Sequence, residues 1–287
     1  MSNQPLVTVN VSGAPNVAQT DQLTPLANAY QQVKLPSLAR VLCQNVKMQG
    51  PSASVFALDY DKDDTHLIMK KGALECFESK PINTGISREA YDDICATYGE
   101  NIATVYLAKL LKARANEQEN TEFVKFLQDN AIDAGAITIS DKTNADTVTC
   151  ELSNSIAKCV MQMNKNNNRS YAAFAILPYE LAGSIMTSFA YMTGTNTTDI
   201  NELRVASFGL TRFYVNPDSA DTNVYVGLLH HDGLCGTAFF GDYTSDLSQV
   251  IDPDSGNFVY FIFNRYGFAM NPIHSDENPL LYKFVAQ

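Results

Sequence analysis

The sequence predicts an α+β protein, and three patterns support this prediction. Residues 87–130 place apolar side chains at helical spacing, residues 141–255 alternate helix and strand patterns, and residues 257–286 contain two strand patterns. The chain has 287 residues, which suffice for one large or two medium domains with a hydrophobic core. Hydrophobic residues make up 45% of the chain and charged residues only 18%, so we expect part of its surface to be buried against partners.

The charge balance limits the possible partners. The formal net charge is −11 and the isoelectric point is about 4.7. An acidic surface repels nucleic-acid phosphates, so we exclude sequence-specific nucleic-acid binding, although such a surface can enclose DNA without adsorbing it. We expect no membrane partner, because the start of the chain lacks a signal-peptide pattern and no apolar run approaches the roughly 18 residues of a membrane span.

The six cysteines have apolar neighbours and are expected to be buried free thiols. None forms a C-x-x-C pair or a cluster with histidine, so we expect no metal and no cofactor. The cysteines are Cys43, Cys76, Cys95, Cys150, Cys159 and Cys235.

Residues 1–33 contain a single charged side chain, Asp21, and an early alternation of apolar and polar residues that predicts a strand. This strand would precede any region that could bury it. Two interpretations remain open: a flexible terminus, or an arm that becomes ordered by adding a strand to the sheet of a neighbouring subunit. The apolar residues of the alternation are Leu6, Val7, Val9 and Val11.

Residues 36–58 predict two strands on either side of a Gly50-Pro51 turn. An acidic loop over residues 59–64 leads into further strand patterns that end near Pro81, which together predict a long hairpin. A lone two-stranded hairpin is only marginally stable in water, so this one needs a surface to lie on.

Residues 87–130 predict a short helix followed by a long one. Ser87 is a favourable N-cap and Gly99 ends the short helix. The first half of the long helix has an apolar stripe, but residues 112–122 are almost entirely polar. The helix therefore crosses open surface there or breaks near Asn120, and we favour one continuous helix. The stripe consists of Ala103, Leu107, Leu110 and Leu111.

The rest of the chain alternates helices and strands. A helix pattern covers Val148–Met163, a buried strand covers Ala172–Leu177, and Pro178 begins a further helix. After four more strands, the segments Asn257–Met270 and Pro279–Ala286 are expected to pair as a hairpin. The four strands are Arg204–Phe208, Thr211–Asn216, Asn223–Leu229 and Leu234–Phe240.

The aspartates of the acidic loop imitate the start of a calcium-binding loop. Asp59, Asp61 and Asp63 have the required spacing, but the sixth position is Asp64 instead of glycine and the twelfth is Lys70 instead of glutamate. We therefore interpret this segment as a solvated loop tip.

A second group with possible chemistry is His230-His231-Asp232, which is followed by Gly233 and Cys235. Adjacent residues of a strand point to opposite faces, so the two imidazoles would not share a ligand. Cys235 and His231 could form a nucleophile and a base, but no third group orients them. We interpret the segment as a hairpin tip with a small apolar cysteine.

Four stretches of the chain occur in the order of one known family: residues 35–58, 98–101, 169–178 and 265–272. The first contains P-S-L-A and V-F-A-L, and the last reads R-Y-G-F-A-M-N-P. With these stretches the chain resembles the major capsid proteins of T-even-type myoviruses, which share the HK97-like fold. It is shorter than the prototypes of that family, and it departs from the family pattern at Lys47, Gln49 and Ser54.

The resemblance implies an HK97-like α+β fold with an N-arm, an extended E-loop, a peripheral P-domain with a long spine helix plus a sheet, and an axial A-domain. It implies a structural major capsid protein, not an enzyme, that assembles with itself into hexamers and pentamers of an icosahedral head. The alternatives are a vertex or other virion protein of the same fold and, more remotely, a Cys/His hydrolase. The implied boundaries are 1–33 for the N-arm, 59–85 for the E-loop, 34–58, 86–140 and 256–287 for the P-domain, and 141–255 for the A-domain.

The resemblance also implies partners and a location. The protein would be assembled in the host cytoplasm, reside in the virion, enclose double-stranded DNA, and meet scaffold, portal and cement proteins. The prototypes are trimmed after glutamate, and the first glutamate here is Glu75, so we expect the arm to be retained. A covalent cross-link from Lys70 or Lys71 to Asn271 is not favoured. The expected inter-subunit contacts are Leu6, Val7, Val9, Val11, Asp61, Asp63, Lys70, Lys71 and Arg265, the last in a buried or interfacial salt bridge.

Overall fold

The computed structural model describes most of the chain and divides it into two compact units. Unit 1 comprises Met1–Leu35, Glu78–Asn116 and Thr244–Arg265, and unit 2 comprises Pro36–Phe77, Glu117–Tyr243 and Tyr266–Gln287. The residues that the structure describes are 17–32, 37–60, 67–77, 81–166, 172–193, 203–229 and 236–286.

The described residues form six helices and twelve strands. The helices are α1 (Val17–Gln32), α2 (Leu38–Leu42), α3 (Arg88–Tyr98), α4 (Glu100–Asn130), α5 (Ala145–Asn166) and α6 (Tyr179–Thr193). The strands are β1 (Gln44–Lys47), β2 (Ser52–Tyr60), β3 (Leu67–Glu75), β4 (Ile82–Ile86), β5 (Ile132–Ile137), β6 (Ala173–Leu177), β7 (Arg204–Phe208), β8 (Thr211–Val215), β9 (Asn223–Leu228), β10 (Ala238–Ile251), β11 (Phe258–Met270) and β12 (Leu281–Ala286).

The core of unit 2 is a six-stranded mixed sheet with strand order β5-β12-β9-β6-β8-β7. All five residues of the central strand β6 are buried. Ala175 and Leu177 face a core that α5 and α6 cover, whereas Phe174 and Ile176 face a second core that includes residues of α2 and α4. Burial on both faces explains why β6 is a continuous apolar run instead of an alternating one.

The predicted hairpin of the last two strands is wrong. The final strand, β12, pairs in parallel with β5 and antiparallel with β9. Its apolar residues point to both faces, because Leu281 belongs to one core and Phe284 to the other. A strand that is apolar on both faces is most stable inside a sheet that is covered on both sides.

The strands β10 and β11 are adjacent and pass through both units. In unit 2, β1 pairs in parallel with the first residues of β10, from Gln44 opposite Phe239 to Lys47 opposite Asp242. In unit 1, β4 pairs antiparallel with the first residues of β11. Of the predicted strand Leu234–Phe240, residues 238–240 are the start of the longer strand β10, and residues 234–235 lie outside the described residues.

Helix α3 of unit 1 begins and ends where the sequence predicts. The Ser87 hydroxyl accepts a hydrogen bond from the Ala90 amide at the start of α3. Gly99 ends α3 with a positive φ of 83°, a conformation that glycine adopts without strain. The following helix is continuous over 31 residues, which confirms the prediction of one long helix.

The N-arm prediction needs a correction for residues 17–32, which form helix α1. Leu26 and Tyr30 are one helical turn apart and are buried in a core with Leu107, Leu111 and Tyr260, all within unit 1. This part of the arm therefore packs against its own chain. The predicted strand around Leu6–Val11 lies outside the described residues.

No helix among the described residues is both long enough and apolar enough to cross a membrane.

Candidate assembly surfaces

The strands β2 and β3 form a two-stranded ribbon in unit 2, and its two faces differ. On the inner face Val55, Ala57 and Leu74 are buried. Gly72 lies so close to Pro272 that an added Cβ would be 2.9 Å from its Cγ atom, so a larger residue would push the ribbon away. The ribbon thus rests on its own unit, which supplies the supporting surface that an isolated hairpin lacks.

The outer face of the ribbon is apolar and exposed. Leu58 and Met69 are opposite each other in the register, and Met69 is 66% exposed. Phe56, which is opposite Lys71, is also exposed. Since paired residues of an antiparallel ribbon point to the same face, these apolar side chains form one continuous patch.

The structure describes three of the predicted contact residues. Lys70 makes an ion pair with Asp59 at 2.9 Å, Lys71 is exposed on the outer face, and Arg265 is half-buried in β11. The salt bridge expected of Arg265 stays a prediction. The other predicted contacts, which are Leu6, Val7, Val9, Val11, Asp61 and Asp63, lie outside the described residues.

The groups considered for chemistry are not assembled into a site in the part of the chain that the structure describes. There, no three His, Cys, Asp or Glu side chains are placed to hold a metal ion. Residues 230–235, which include the histidine pair and Cys235, are not described. Cys43 is buried and its pKa is raised by burial and by the nearby Glu119 carboxylate, so its thiol stays protonated. The prediction that the cysteines are buried is wrong for Cys150, which is exposed.

A second exposed apolar surface lies on the first half of α4 in unit 1. Ile102, Tyr106 and Leu110 are 60%, 51% and 50% exposed and follow one another at intervals of four residues. Val105 lies on the same side. The predicted apolar stripe grouped Leu110 with Leu107 and Leu111, but the helical rotation of 100° per residue places Leu110 beside Ile102 and Tyr106, away from the buried Leu111.

The neighbouring helix α3 adds to this surface. None of its eleven residues is buried, and Tyr98 at its end is exposed. Tyr91 packs against the core of unit 1 and contacts Phe258 edge-on at a ring-centroid distance of 5.4 Å. The α4 stripe, defined as Ile102, Val105, Tyr106 and Leu110, thus adjoins a helix that is itself weakly covered.

The polar middle of α4 does not break the helix, and one side of it is covered instead of crossing open surface: Asn116, Glu119 and Asn120 are buried, the last two in unit 2. Glu119 is only 1% exposed and forms a two-pronged ion pair with Arg40, in which Nε and Nη2 each lie 3.2 Å from a carboxylate oxygen. The remaining guanidinium nitrogen of Arg40, Nη1, donates to the Asp242 carboxylate at 2.7 Å. Burial by itself lowers the pKa of Arg40, but the two carboxylates outweigh this effect and raise it above its usual value.

The same segment of α4 caps the short helix α2. The Leu38 amide donates to the Asn120 side-chain oxygen at 2.8 Å. The Ser37 hydroxyl accepts from the Arg40 amide and donates to Glu119. A helix N-terminus has free amide groups, and here the Asn120 side-chain oxygen and the Ser37 hydroxyl each accept from one of them.

A further contact joins α4 to β11 within unit 2. The Tyr266 hydroxyl donates to Glu122 at 2.7 Å, and burial together with this hydrogen bond raises the pKa of Tyr266. The guanidinium of Arg40 also lies 4.8 Å from the ring centroid of Phe240. We call Ser37, Arg40, Glu119, Asn120, Glu122, Asp242 and Tyr266 the polar cluster.

The polar cluster was not predicted from the sequence, although the sequence contains one signal for it. A polar run inside an otherwise amphipathic helix indicates either exposure or a buried polar partner, and the pattern alone does not distinguish them. An arginine in the apolar stretch Leu38–Cys43 was the complementary signal.

Asn271 starts a turn after β11. Its carbonyl accepts from the His274 amide at 2.8 Å and its side-chain oxygen accepts from the Ile273 amide at 3.0 Å. Its side-chain nitrogen donates to the Gly236 carbonyl at 2.8 Å in a buried setting. The turn directs the chain from β11 towards β12.

Comparisons with known proteins agree with this architecture. The family model described as "Major capsid protein Gp23" matches residues 76–284, which is more than half of the chain. No curated protein matches the sequence.

Three similar solved structures show the fold. A virus-like particle from Pyrococcus furiosus has 12% identity and a TM-score of 0.57, over 93% of this chain and 99% of that one. The capsid of Ralstonia phage GP4 has 8% identity and a TM-score of 0.51, over 99% and 96%. The capsid of Cyanophage P-SCSP1u has 9% identity and a TM-score of 0.50, over 98% and 93%. These likenesses show the HK97-like α+β fold that the sequence predicts.

Proposed function

The chain belongs to the major capsid protein Gp23 family, and we propose that its copies form the hexamers and pentamers of an icosahedral phage head that encloses the genome. The protein is a structural, non-enzymatic component of a virion shell and associates with copies of itself. The observation that supports this proposal best is the family match over residues 76–284, which extends from the end of the ribbon to the last strand.

We further propose a division into the parts of an HK97-like subunit. The ribbon of β2 and β3 would be the E-loop, α4 the spine helix of the P-domain, and the sheet with α5 and α6 the A-domain. The ribbon begins at Ser52 instead of residue 59, and β4 belongs to a sheet with β11. The E-loop is therefore proposed to cover residues 52–75.

The outer face of the ribbon is proposed to lie on a neighbouring subunit. Covering the exposed part of Leu58 or Met69 would contribute roughly 1 kcal/mol per side chain, at about 25 cal/mol per Å² of apolar surface. Each subunit of a closed shell repeats such contacts, so small contributions add up. Lys71 and Arg265 are proposed to join these interfaces as charged groups at their edges.

Other partners remain part of the proposal. The net charge of −11 suits an inner wall that does not adsorb packed DNA. Assembly in the host cytoplasm and contacts with scaffold, portal and cement proteins follow from the proposed role in a phage head.

Electron microscopy of the purified protein tests the proposal, and closed shells, tubes or hexameric rings are the expected products. Met69→Asp places a charge in the proposed contact, so it should abolish or strongly reduce these products while thermal unfolding of the subunit stays unchanged. Met161→Asp is the matched control, because Met161 is equally exposed on α5 and away from the ribbon.

A stable monomer of the unmodified chain under all assembly conditions would contradict the proposed function. Normal particles from Met69→Asp would contradict only the role of the ribbon.

A further inference from the structure

An apolar pocket lies in unit 2 between the first half of α6 and the start of β7, and its cavity volume is about 210 Å³. An apolar cavity of about 150 Å³ already holds a benzene molecule, so this one has room for a large apolar side chain. Two of its lining residues, Tyr179 and Met186, are exposed, so the pocket is open to a group from outside. We call it the α6 pocket, and its lining includes Tyr179, Gly183, Met186, Leu203, Arg204 and Val205.

Gly183 leaves this pocket open from the side of the helix. It is the fifth residue of α6, and glycine in a helix interior is less stable than alanine. The two usual reasons for such a glycine do not apply, because its φ is not positive and an added Cβ would meet no atom of the described residues within 4 Å. Since the described chain does not need the missing side chain, the space indicates a group that enters from outside.

Arg204 is the charged residue among those that line the pocket. Its Nε atom is buried without a hydrogen-bond partner, and no carboxylate of the described residues forms an ion pair with it. Leu203, immediately before it, has a φ of 56°, a strained conformation for leucine that is typical of functional sites. A buried donor without a partner is costly, and a carboxylate offers a guanidinium two parallel hydrogen bonds. The expected ligand therefore contains a carboxylate beside its apolar group.

The position of the pocket in the sheet indicates the form of this ligand. Strand β7 is the last in the order of the six-stranded sheet, so no described strand pairs with its outer edge. The pocket touches Leu203, Arg204 and Val205, where this free edge begins. A free edge pairs with an extended peptide through main-chain hydrogen bonds, while a neighbouring pocket selects a side chain. Because residues i and i+2 of a strand point to the same face, the apolar residue and the acidic residue would be two positions apart.

The opposite edge of the same sheet is a poor complement for β7, which argues against a second copy as the occupant. That edge is β5. The Asp133 carboxylate of β5 already accepts the Gly135 amide at 2.8 Å, and Gly135 has a φ of 89°. The pairing of β5 with β12 also shifts its register next to these residues. Irregularities of this kind protect an edge from pairing with another chain.

We propose that the α6 pocket binds an extended segment of a different protein, which places a large apolar side chain beside Gly183 and a carboxylate on Arg204 while it pairs with β7. This inference goes beyond the proposed function, because it concerns a ligand of the single subunit. It is therefore measured on the unassembled subunit and does not depend on the formation of particles.

Two end-blocked synthetic peptides are the probes, Thr-Thr-Phe-Thr-Glu-Thr and the reverse order Thr-Glu-Thr-Phe-Thr-Thr, since an added strand can run in either direction. They are titrated into subunit with isotope-labelled methionine methyl groups. The methyl signal of Met186, identified by its loss in Met186→Leu, should shift with at least one peptide. Replacing the glutamate of that peptide by glutamine should weaken binding at least about tenfold. An unchanged Met186 signal at about 1 mM of either peptide would overturn the proposal.

Variants of the subunit test the two contacts separately. Gly183→Leu fills the pocket and should weaken peptide binding at least about tenfold, while thermal stability stays equal or rises because leucine favours a helix. Arg204→Gln should weaken binding by a similar factor. Arg212→Gln is its control, because Arg212 is an exposed arginine on the neighbouring strand β8. Full affinity in Gly183→Leu or in Arg204→Gln would refute the assigned binding mode.

Two further measurements identify the kind of occupant. The peptide with all its amides N-methylated should bind at least about tenfold more weakly, and 3-phenylpropionate, a free carboxylate, should bind more weakly than the peptide. Equal binding of either compound would rule out pairing with β7. If a higher concentration of subunit alone shifted the Met186 signal as the peptide does, the occupant would be a second copy and the proposal would be wrong. The absence of particles from the unmodified chain would overturn the shell function and leave these binding results unaffected.

Discussion

Replacing Glu119 by glutamine would remove the charge on which the polar cluster depends. Glu119 is almost fully buried and meets Arg40 through two nitrogen–oxygen contacts of 3.2 Å. Arg40 is 28% exposed and would keep only Asp242 as a charged partner. In the variant the largely buried Arg40 cation is therefore paired with one carboxylate instead of two.

The size of the effect follows from the burial of both groups. Breaking a fully buried ion pair by removing one partner costs about 3–5 kcal/mol. Because the guanidinium of Arg40 reaches solvent and retains Asp242, we expect a value at the lower end, about 3 kcal/mol. The Ser37 hydroxyl would keep an oxygen acceptor in glutamine, which also favours the lower end.

Urea unfolding of the unassembled subunit, followed by circular dichroism, measures this loss as a shift of the midpoint. Asp129→Asn is the control, because it removes one carboxylate from an exposed position of the same helix and should change stability by less than about 0.5 kcal/mol. The double variant Arg40→Met, Glu119→Leu should recover part of the loss, since no charge is left buried. If Glu119→Gln were as stable as Asp129→Asn, the polar cluster would not support the fold as argued.

Two more predictions concern unit 2. Burial lowers the pKa of His274 in the folded state, and its Nδ1 accepts a hydrogen bond from the Leu280 amide at 3.0 Å. The contribution of the neutral His274 to stability should therefore be complete above the unfolded pKa of about 6.5 and decrease as the pH drops below it. Urea midpoints at neutral and mildly acidic pH should differ more for the unmodified chain than for His274→Gln, and equal differences would refute the assignment. Gly267→Ala should cost at least about 3 kcal/mol, because its Cβ would overlap the backbone carbonyl of Glu75 and lie 2.8 Å from the carbonyl carbon. Gly50→Ala, with no atom within 4 Å of the added Cβ, is the control for thermal unfolding, and equal effects of the two variants would contradict this reasoning.

Much of the local structure could be predicted from the sequence. The cap at Ser87, the end of a helix at Gly99 and the strand Arg204–Phe208 are all confirmed. These features depend on residues that are close in the chain, and their signals are therefore present in any short window. The family resemblance extended the prediction to the HK97-like fold.

The partners of these elements were predicted less well. The end of the chain was expected to form a hairpin, but β12 pairs with β5 and β9. Strand pairing depends on which surfaces are covered, and Leu281 and Phe284 point into two different cores. A pattern that is apolar on both faces indicates a central strand without indicating its neighbours.

The sequence by itself determined the class of the molecule, the position of its long helix and the low charge that suits an assembly subunit, because composition and periodicity are local properties. Only the tertiary structure decided that the polar middle of α4 holds Arg40 and caps α2, and that Leu110 faces outward beside Ile102 and Tyr106. The physical reason is that a hydrogen bond or an ion pair between Arg40 and Glu119 joins residues far apart in the chain, and no window along the sequence contains both.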